Sequence, residues 1–437
     1  MSAKLGFALA MLLAIVISIA VLFLIPDWLL VVCLGVLTGW MALTRIGQQI
    51  WSVARVGIAT IPQRLGASAV VVVGIAGVVG VLVALLSMGM GFEATLKQTG
   101  TDDTAIVLQS GAQSEGSSAI THDAVAAISR APQVLKDAQD HPVASPELLV
   151  VASLRERKST RHTANIAIRG VGEAVWELRP QIKIAAGRKF KAGLNELVVG
   201  QGVHQEFAGT DVGSTTMLNG QAWKVVGIFD SGDAYNSEIW SDTDVVASAF
   251  RRGSGRTSLT VRLIDAGAFS AFKAELASDP RLKVNTQTTR QFYNRQSEGL
   301  TGLARLLGVT VGAIMAIGAV FGALNTMYSA VAARTREIAT LRALGFRRVP
   351  VIVSVLFETM LLAALGGLIG ATIAWVIFDG FTASTVGANG QVMFAFDVSP
   401  TLLWNGLKWA LAIGLIGGLF PAVHAARMPI TSGLREL

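Results

Sequence analysis

The segment Arg334–Arg348, which reads RTREIATLRALGFRR, is a short basic stretch between two long apolar segments. Within it, Ile338, Leu341 and Leu344 recur every three residues, so a helix would carry them on one face. Gly345 provides a helix stop, because glycine adopts the left-handed conformation at little cost. The remaining faces carry charged side chains, namely Arg334, Arg336, Glu337 and Arg342. The segment therefore predicts a short amphipathic helix.

Both neighbouring segments, Leu303–Val331 and Val351–Phe378, are almost wholly apolar. At about 1.5 Å per residue, each is long enough as a helix to cross a hydrocarbon core of roughly 30 Å. A short basic loop between two such spans is expected on the cytoplasmic side of the membrane. The sequence thus predicts two membrane helices joined by a cytoplasmic amphipathic helix.

The run ARTREIATLRALGFRR, followed by Glu358 and the glycines of Gly366–Gly370, resembles the permease signature of the FtsX/MacB/LolC group of ABC transporters. The final residues, PAVHAARMPITSGLREL, are similar to that family's C-terminal pattern, whereas Ala339 stands where a glycine is more usual. The resemblance implies that the amphipathic helix docks on a separate ATP-hydrolysing subunit. It assigns this coupling to Arg334, Arg336, Glu337, Ile338, Leu341, Arg342, Leu344 and Gly345.

The composition is that of an integral membrane protein, since 52% of the 437 residues are hydrophobic and only 15% are charged. Between Phe92 and Leu300 there are 23 acidic and 23 basic residues, so the whole net charge of +7 belongs to the remainder. The excess arginines lie in segments assigned to the cytoplasm, while Asp27, Asp379 and Asp397 lie in segments assigned to the other side. This is a positive-inside distribution, and it gives no indication of nucleic-acid binding.

The N-terminal region, residues 1–45, predicts an additional transmembrane hairpin. Leu5–Ile25 is an unbroken apolar segment followed by Pro26, and Trp28–Leu43 is a shorter one. A signal peptide is the competing interpretation of the first segment, but it would have a shorter core and a small-residue cleavage site. We expect a retained span, and the hairpin departs from the family's usual four-span core.

Residues 46–91 predict an interfacial helix followed by the first core span. Ile46–Ala59 places Ile46, Ile50 and Val53 on one face, which is typical of a helix lying in the membrane interface. A cytoplasmic continuation of the second span is the alternative, and the family resemblance favours the interfacial helix. Ala67–Met90 is a transmembrane stretch rich in valine and glycine.

Residues 92–300 predict a large α+β extracytoplasmic domain. Its segments alternate and are punctuated by glycine, which is typical of strands, and Phe269–Ala277 is typical of a helix between strands. Residues 301–437 then contain three core spans, the last of them Leu402–Phe420. The predicted fold class is a membrane α-helical protein of about six spans. We expect it in a bacterial inner membrane, with both termini in the cytoplasm.

Polar and small residues within the spans are further candidate sites. Glu358 lies about 12 Å into its span, where a carboxylate requires a polar partner or a watery interface, and Arg342 and Asn325 are candidate partners. Glu358 either couples movement of the loop to movement of the span or is a carboxylate hydrogen-bonded near the headgroups. Close helix packing, within one subunit or across a sliding dimer seam, is expected at Gly308, Gly312, Gly318, Gly322, Gly366, Gly367 and Gly370.

Enzyme signatures are missing from the sequence. There is no GxxxxGK[ST] loop, no GxSxG elbow and no HExxH, and the five histidines have no metal-ligand spacing. We expect no cofactor or metal on this chain, with ATP and Mg²⁺ bound by a partner ATPase dimer. A membrane receptor or scaffold is the hypothesis from another class, but it would need a cytoplasmic output domain.

The resemblance implies three possible outputs. MacB-like relatives expel substrates together with a periplasmic adaptor and an outer-membrane channel, LolC/E-like relatives extract lipoproteins, and FtsX-like relatives signal mechanically to cell-wall hydrolases. An extracytoplasmic domain of about 200 residues suits the first two better. A second permease copy or a paralogue is also expected, because an ATPase pair needs two permease cores.

Overall fold

A computed structural model describes residues 65–157, 162–333, 335–343, 348–387 and 390–427, together with isolated positions among the first 64 residues. The predicted N-terminal hairpin (Leu5–Ile25 and Trp28–Leu43) and the interfacial helix Ile46–Ala59 lie outside the described residues apart from those isolated positions. The same holds for the last ten residues of the C-terminal pattern.

The helices of the described ranges are numbered here in chain order. They are α1 (Leu65–Thr99), α2 (His122–Ser129), α3 (Val175–Leu178), α4 (Gln201–Glu206), α5 (Thr243–Ala249), α6 (Phe269–Ser278), α7 (Thr289–Ala333), α8 (Thr335–Ala343), α9 (Arg348–Phe378) and α10 (Pro400–Arg427).

The strands of the same ranges are β1 (Thr104–Gln109), β2 (Ala144–Arg155), β3 (Thr163–Val171), β4 (Lys183–Gly187), β5 (Glu196–Gly200), β6 (Thr215–Leu218), β7 (Gln221–Asp230), β8 (Glu238–Asp242), β9 (Ser258–Arg262), β10 (Val284–Thr288), β11 (Thr382–Gly387) and β12 (Gly390–Ala395).

Four of the described helices, α1, α7, α9 and α10, are long and apolar enough to cross a membrane. They contain the four predicted core spans, and α1 and α7 extend beyond the predicted ends of theirs. The chain is thus membrane-embedded, with four candidate spans among the described residues. The expected total of six includes the N-terminal hairpin and stays a prediction.

The chain divides into two compact units. The first contains residues 1–88, 304–380 and 397–437, and the second contains residues 89–303 and 381–396. The segment between α9 and α10 forms the β11–β12 hairpin, and this hairpin belongs to the second unit.

In the first unit, the long helices pack through an apolar core of small and branched side chains. Buried members come from α1, α7, α9 and α10, for example Ile75, Ala323, Ala363 and Ala410. The pair α9 and α10 is closely packed along its length: a Cβ on Gly367 would lie 2.6 Å from that of Ala410. Small residues at these positions allow the helix backbones to approach each other closely.

The second unit is built on a mixed ten-stranded sheet, with strand order β10-β1-β9-β2-β3-β8-β5-β7-β4 and β6 paired to β7. Most neighbouring strands are antiparallel, while β3–β8 and β5–β7 are parallel. The strands β6 and β7 are joined at Asn219 and Gly220, which both have positive φ and form a tight hairpin turn. The predicted large extracytoplasmic domain is thus a mixed α/β domain.

Two apolar cores cover different parts of this sheet. One lies where β2, β3, β5 and β7 meet α4 and α5, and it includes the fully buried Trp223 and Phe207. The other packs α2 and α6 against β1 and β9 through Ile128, Phe272 and Val261. The face of β9 opposite to Val261 carries polar side chains instead, and one of them, Ser258, donates to the buried carboxylate of Glu115.

Candidate functional site

The amphipathic helix lies where the sequence predicts it, as α8 between the two long helices α7 and α9. Its inner face is buried: Ile338 is 8% exposed and Ala339 is 5% exposed. Ile338 belongs to a compact apolar cluster that also contains Val331, Val351, Val355, Ala422, Ala425 and Ala426. These residues lie at the end of α7, the beginning of α9 and the end of α10, so Ile338 packs in a cluster to which all three helix ends contribute.

The opposite face of α8 is exposed. Arg336, Thr340 and Ala343 follow one another at spacings of four and three residues, and all three are exposed. We call them the outer face of α8. The Thr340 hydroxyl donates to the carbonyl oxygen of Arg336 at 2.9 Å, so it is engaged within the helix.

The orientation expected for Ile338 is therefore wrong. The family resemblance assigns Ile338 to docking on a separate subunit, but the structure buries its side chain against the chain's own helices. The physical reason is that apolar side chains on a short helix pack on the nearest apolar surface, here the ends of three spans. Arg334, Leu344 and Gly345 lie outside the described residues, as do the side chains of Glu337 and Leu341.

The two intramembrane polar candidates lie in different surroundings. Glu358 is 6% exposed on the buried face of α9, between Val355 and Leu362. Asn325 lies exposed on α7, outside the buried layer that holds Glu358. Its backbone carbonyl accepts a hydrogen bond from the Ser329 hydroxyl at 3.0 Å.

The candidate packing glycines fall into two groups. Gly366 and Gly370 face α1, where an added Cβ on Gly366 would lie 2.8 Å from the carbonyl oxygen of Val72. Gly367 faces α10, while Gly308 and Gly312 face leucines of α1. Gly318 and Gly322 form the second group, because no heavy atom lies within 4 Å of a Cβ added to either of them. Within the described chain, only the other five candidate glycines meet a packed neighbour.

In the second unit, a layer of buried charges lies between the sheet and the segments that cover it. Arg169 on β3 is 2% exposed, and all five of its N–H groups donate to carboxylates. Two go to Glu115 at 2.7 and 2.9 Å, two to Glu238 at 2.7 Å each, and one to Glu147 at 2.6 Å. The two bidentate pairs fix the guanidinium in one orientation.

A second arginine extends this charged layer. Arg179 Nη1 lies 2.8 Å from Glu147 Oε1, and its guanidinium stacks on the Tyr235 ring at 4.4 Å. Burial lowers the pKa of Arg179, but the adjacent Glu147 carboxylate outweighs this effect and holds that pKa above its ordinary value. Burial, opposed by the positive charges of Arg179 and Arg169, raises the pKa of Tyr235 to about 12.

Two of the three glutamates of the layer also accept hydrogen bonds from neutral donors. Trp240 Nε1 donates to Glu238 at 2.9 Å, and the Ser258 hydroxyl donates to Glu115 at 2.7 Å. Asp233 lies beside the layer, where burial raises its pKa to about 6. Because Glu115 comes from the side of the second core and Arg169 from the first, the layer joins the two cores.

The sequence interpretation missed this layer. Its members are far apart in the sequence, and a balanced charge count contains no sign of their pairing. The available signal was a lone charge inside an apolar strand, as in NIAIRG around Arg169 and SPELLV around Glu147. Such a charge is buried only when it is paired.

The β11–β12 hairpin is fixed to the second unit by its second strand. Met393 is 8% exposed within the first apolar core, and its amide donates to the Ser237 hydroxyl at 2.8 Å. Its sulfur occupies the space beside Gly202, where an added Cβ would lie 2.8 Å away. The segment between α9 and α10 is thus anchored in the extracytoplasmic domain.

Two family models match the chain. Residues 68–279 match the MacB-like periplasmic core domain, and residues 309–430 match the FtsX-like permease C-terminal domain. The first covers every strand of the large sheet except β10, and the second covers part of α7 and all of α8, α9 and α10. Both models are those of permeases of the kind that the sequence resembles.

Curated relatives agree with these matches. The chain is 26% identical over 279 residues to the macrolide export ATP-binding/permease protein MacB of Neisseria gonorrhoeae, an alignment of 59% of this chain and 42% of that protein. It is 25% identical over 308 residues to the ABC transporter permease YknZ of Bacillus subtilis, covering 65% and 75% respectively. The chain thus spans less than half the length of the MacB relative.

Among solved structures, the periplasmic region of MacB from Actinobacillus actinomycetemcomitans matches with a TM-score of 0.34 and 15% identity. The match covers 43% of this chain and 90% of that one.

Proposed function

Because this chain belongs to the family of ABC transporter permeases with a MacB-like periplasmic core domain and an FtsX-like permease domain, we propose that it transmits the work of an ATPase to its extracytoplasmic domain. The ATPase is a separate cytoplasmic dimer that binds ATP and Mg²⁺. The chain lies in a bacterial inner membrane with both termini in the cytoplasm and pairs with a second permease copy or a paralogue.

The observation that carries this proposal is the two-sided environment of α8. Its inner face is held by Ile338 against the ends of α7, α9 and α10, and its outer face exposes Arg336, Thr340 and Ala343. A partner that binds the outer face and moves therefore displaces three membrane helices together. A loop that served only to set topology would need no buried anchor.

The charge and shape of the outer face suit a protein partner. Arg336 presents a guanidinium that binds a carboxylate in a fixed geometry, while Thr340 and Ala343 are small enough to permit close approach. A groove lined by acidic and apolar side chains would accept this face. Motion of that groove on nucleotide binding then reaches the bundle through Ile338.

For the output, we propose export of substrates from the periplasmic side, assisted by an adaptor and an outer-membrane channel. This rests on the MacB relatives, whose name states macrolide export, and on the large mixed α/β domain. LolC/E-like lipoprotein extraction and FtsX-like activation of a hydrolase would use the same coupling. They differ in what the extracytoplasmic domain contacts.

The test is reconstitution with the ATPase subunit in lipid nanodiscs, followed by co-purification and ATP turnover. We expect Arg336→Glu to reduce retained ATPase and permease-dependent turnover by at least about fivefold, since a reversed charge across an interface costs roughly 1 kcal/mol or more. The matched control is Arg130→Glu, the same charge change at an exposed arginine of the extracytoplasmic domain. Equal retention and turnover in the two variants would refute the docking assignment.

A further inference from the structure

The helices α1 and α7 meet inside the second unit, where one ends and the other begins. The amide of Thr101 donates to Thr289 Oγ1 at 2.9 Å, and that hydroxyl donates to the carbonyl of Thr101 at 3.0 Å. The amide of Arg290 donates to the same carbonyl at 3.2 Å, and the hydroxyls of Thr104 and Thr289 lie 2.5 Å apart. We call residues 99–104 and 289–293 the helix joint.

The two backbones touch directly at this joint. An added Cβ on Gly100 would lie 2.5 Å from Arg290 Cα and N and from the carbonyl carbon of Thr289. These are backbone atoms, which cannot move aside as a flexible side chain does. Only glycine permits this approach, so any larger residue must push the two helix ends apart.

A third segment, the turn at 234–237, closes the joint. The amide of Ala234 donates to the Thr99 hydroxyl at 3.1 Å, and the Tyr293 hydroxyl donates to that of Tyr235 at 3.0 Å. Tyr235 in turn stacks against Arg179, which is paired with Glu147. An unbroken series of buried contacts therefore leads from the two helix ends to the charged layer.

We propose that the helix joint is rigid and moves as one body with the charged layer, so that Thr289 and Gly100 act as positioning residues for α1 and α7. Hinges are segments with few buried contacts. In the helix joint, by contrast, hydroxyls and amides form hydrogen bonds between two segments that are 188 positions apart, and the two backbones touch. The proposal rests on the proposed function in one respect only: the ATPase is the source of the helix motion. Bending must then occur elsewhere along the helices.

Distance measurement between spin labels tests rigidity directly. Labels are placed at the exposed positions Gln98 and Glu298 of the full chain, in a Cys33→Ser background and diluted with unlabelled chain to remove distances between copies. We expect one narrow distribution that is the same without nucleotide and in the nucleotide-trapped complex with the ATPase. A shift between states, or two populations, would show a hinge and overturn the proposal.

Substitutions test whether the named contacts maintain the joint. Thr289→Val keeps the shape but removes the hydroxyl, so we expect a broader distribution and roughly fivefold to tenfold faster amide exchange at Thr101. Thr289→Ser restores the hydroxyl and is expected to remain within about twofold of the wild type. Wild-type behaviour of Thr289→Val would overturn the assignment.

A glycine pair provides the steric test. Gly100→Ala is expected to broaden the distribution, while Gly77→Ala, on the same helix with no heavy atom within 4 Å of its added Cβ, is expected to leave it unchanged. Equal effects of the two would contradict the proposal. The distance without nucleotide requires no ATPase, so failure of the joint and failure of the proposed function are distinguishable.

Discussion

Replacing Arg169 by methionine removes the cation at the centre of the charged layer. Glu115, Glu147 and Glu238 then stay buried with Arg179 as the remaining arginine of the layer. These three carboxylates lose the five hydrogen bonds that Arg169 donated. Removing one partner of a buried ion pair costs about 3–5 kcal/mol. For a domain of this size, roughly 2–4 °C per kcal/mol predicts a lower unfolding midpoint by about 6–20 °C.

The assay is thermal unfolding of the full chain in nanodiscs, followed by tryptophan fluorescence. Arg169→Lys retains the charge with fewer donors and is expected to fall between the wild type and Arg169→Met.

The control for this prediction is Arg188→Met. Arg188 pairs with Glu196 at 2.5 Å, but its side chain is 47% exposed, so the pair is worth less than about 1 kcal/mol. If Arg169→Met shifted the midpoint no more than Arg188→Met, the charged layer would not be a structural element of the domain.

Three further predictions follow from separate parts of the chain. Burial raises the pKa of Asp233 to about 6, so the folded chain retains this proton at pH values where the unfolded chain has lost it. The stability that this group contributes is therefore lost progressively as the pH rises from about 4 to about 6, and it does not fall further above that. Asp233→Asn is expected to equal the wild type near pH 4 and to be more stable by up to about 3 kcal/mol at pH 7 in denaturation curves. Ile338→Ala is expected to lower ATPase coupling without loss of ATPase binding. The comparison is Thr340→Ala on the outer face, which leaves the anchor intact. Loss of ATPase binding in Ile338→Ala but not in Thr340→Ala would contradict this expectation. Gly202→Val is expected to displace Met393 and expose the β11–β12 hairpin to limited proteolysis, and a cleavage pattern identical to that of the wild type would count against the anchoring contact.

The elements that could be predicted are those with strong local signals. The four described spans follow from unbroken apolar runs, and the position of α8 follows from a basic interval between two of them. The direction of the α8 faces could not be derived from spacing alone. A threefold repeat such as Ile338, Leu341 and Leu344 states that a face is apolar, but not whether it packs on the same chain or on a partner.

The charged layer and the helix joint were beyond the sequence for a different reason. Both depend on contacts between segments more than 50 positions apart, such as Arg169 with Glu115 or Thr101 with Thr289. Strand order determines these contacts, and it is set by the pairing of the whole sheet. Gly100 similarly resembles an ordinary helix-ending glycine until Arg290 is placed beside it.

The central claim is that a cytoplasmic ATPase works on the outer face of α8. The most direct test incorporates a photo-crosslinking amino acid at Ala343 in cells that produce the ATPase subunit, with the exposed extracytoplasmic position Gln98 as the control. We predict an ATPase adduct from position 343 and none from position 98. Absence of the adduct at 343 in an assembled, active complex, or labelling of that position by a membrane-impermeant reagent from outside the cell, would contradict it.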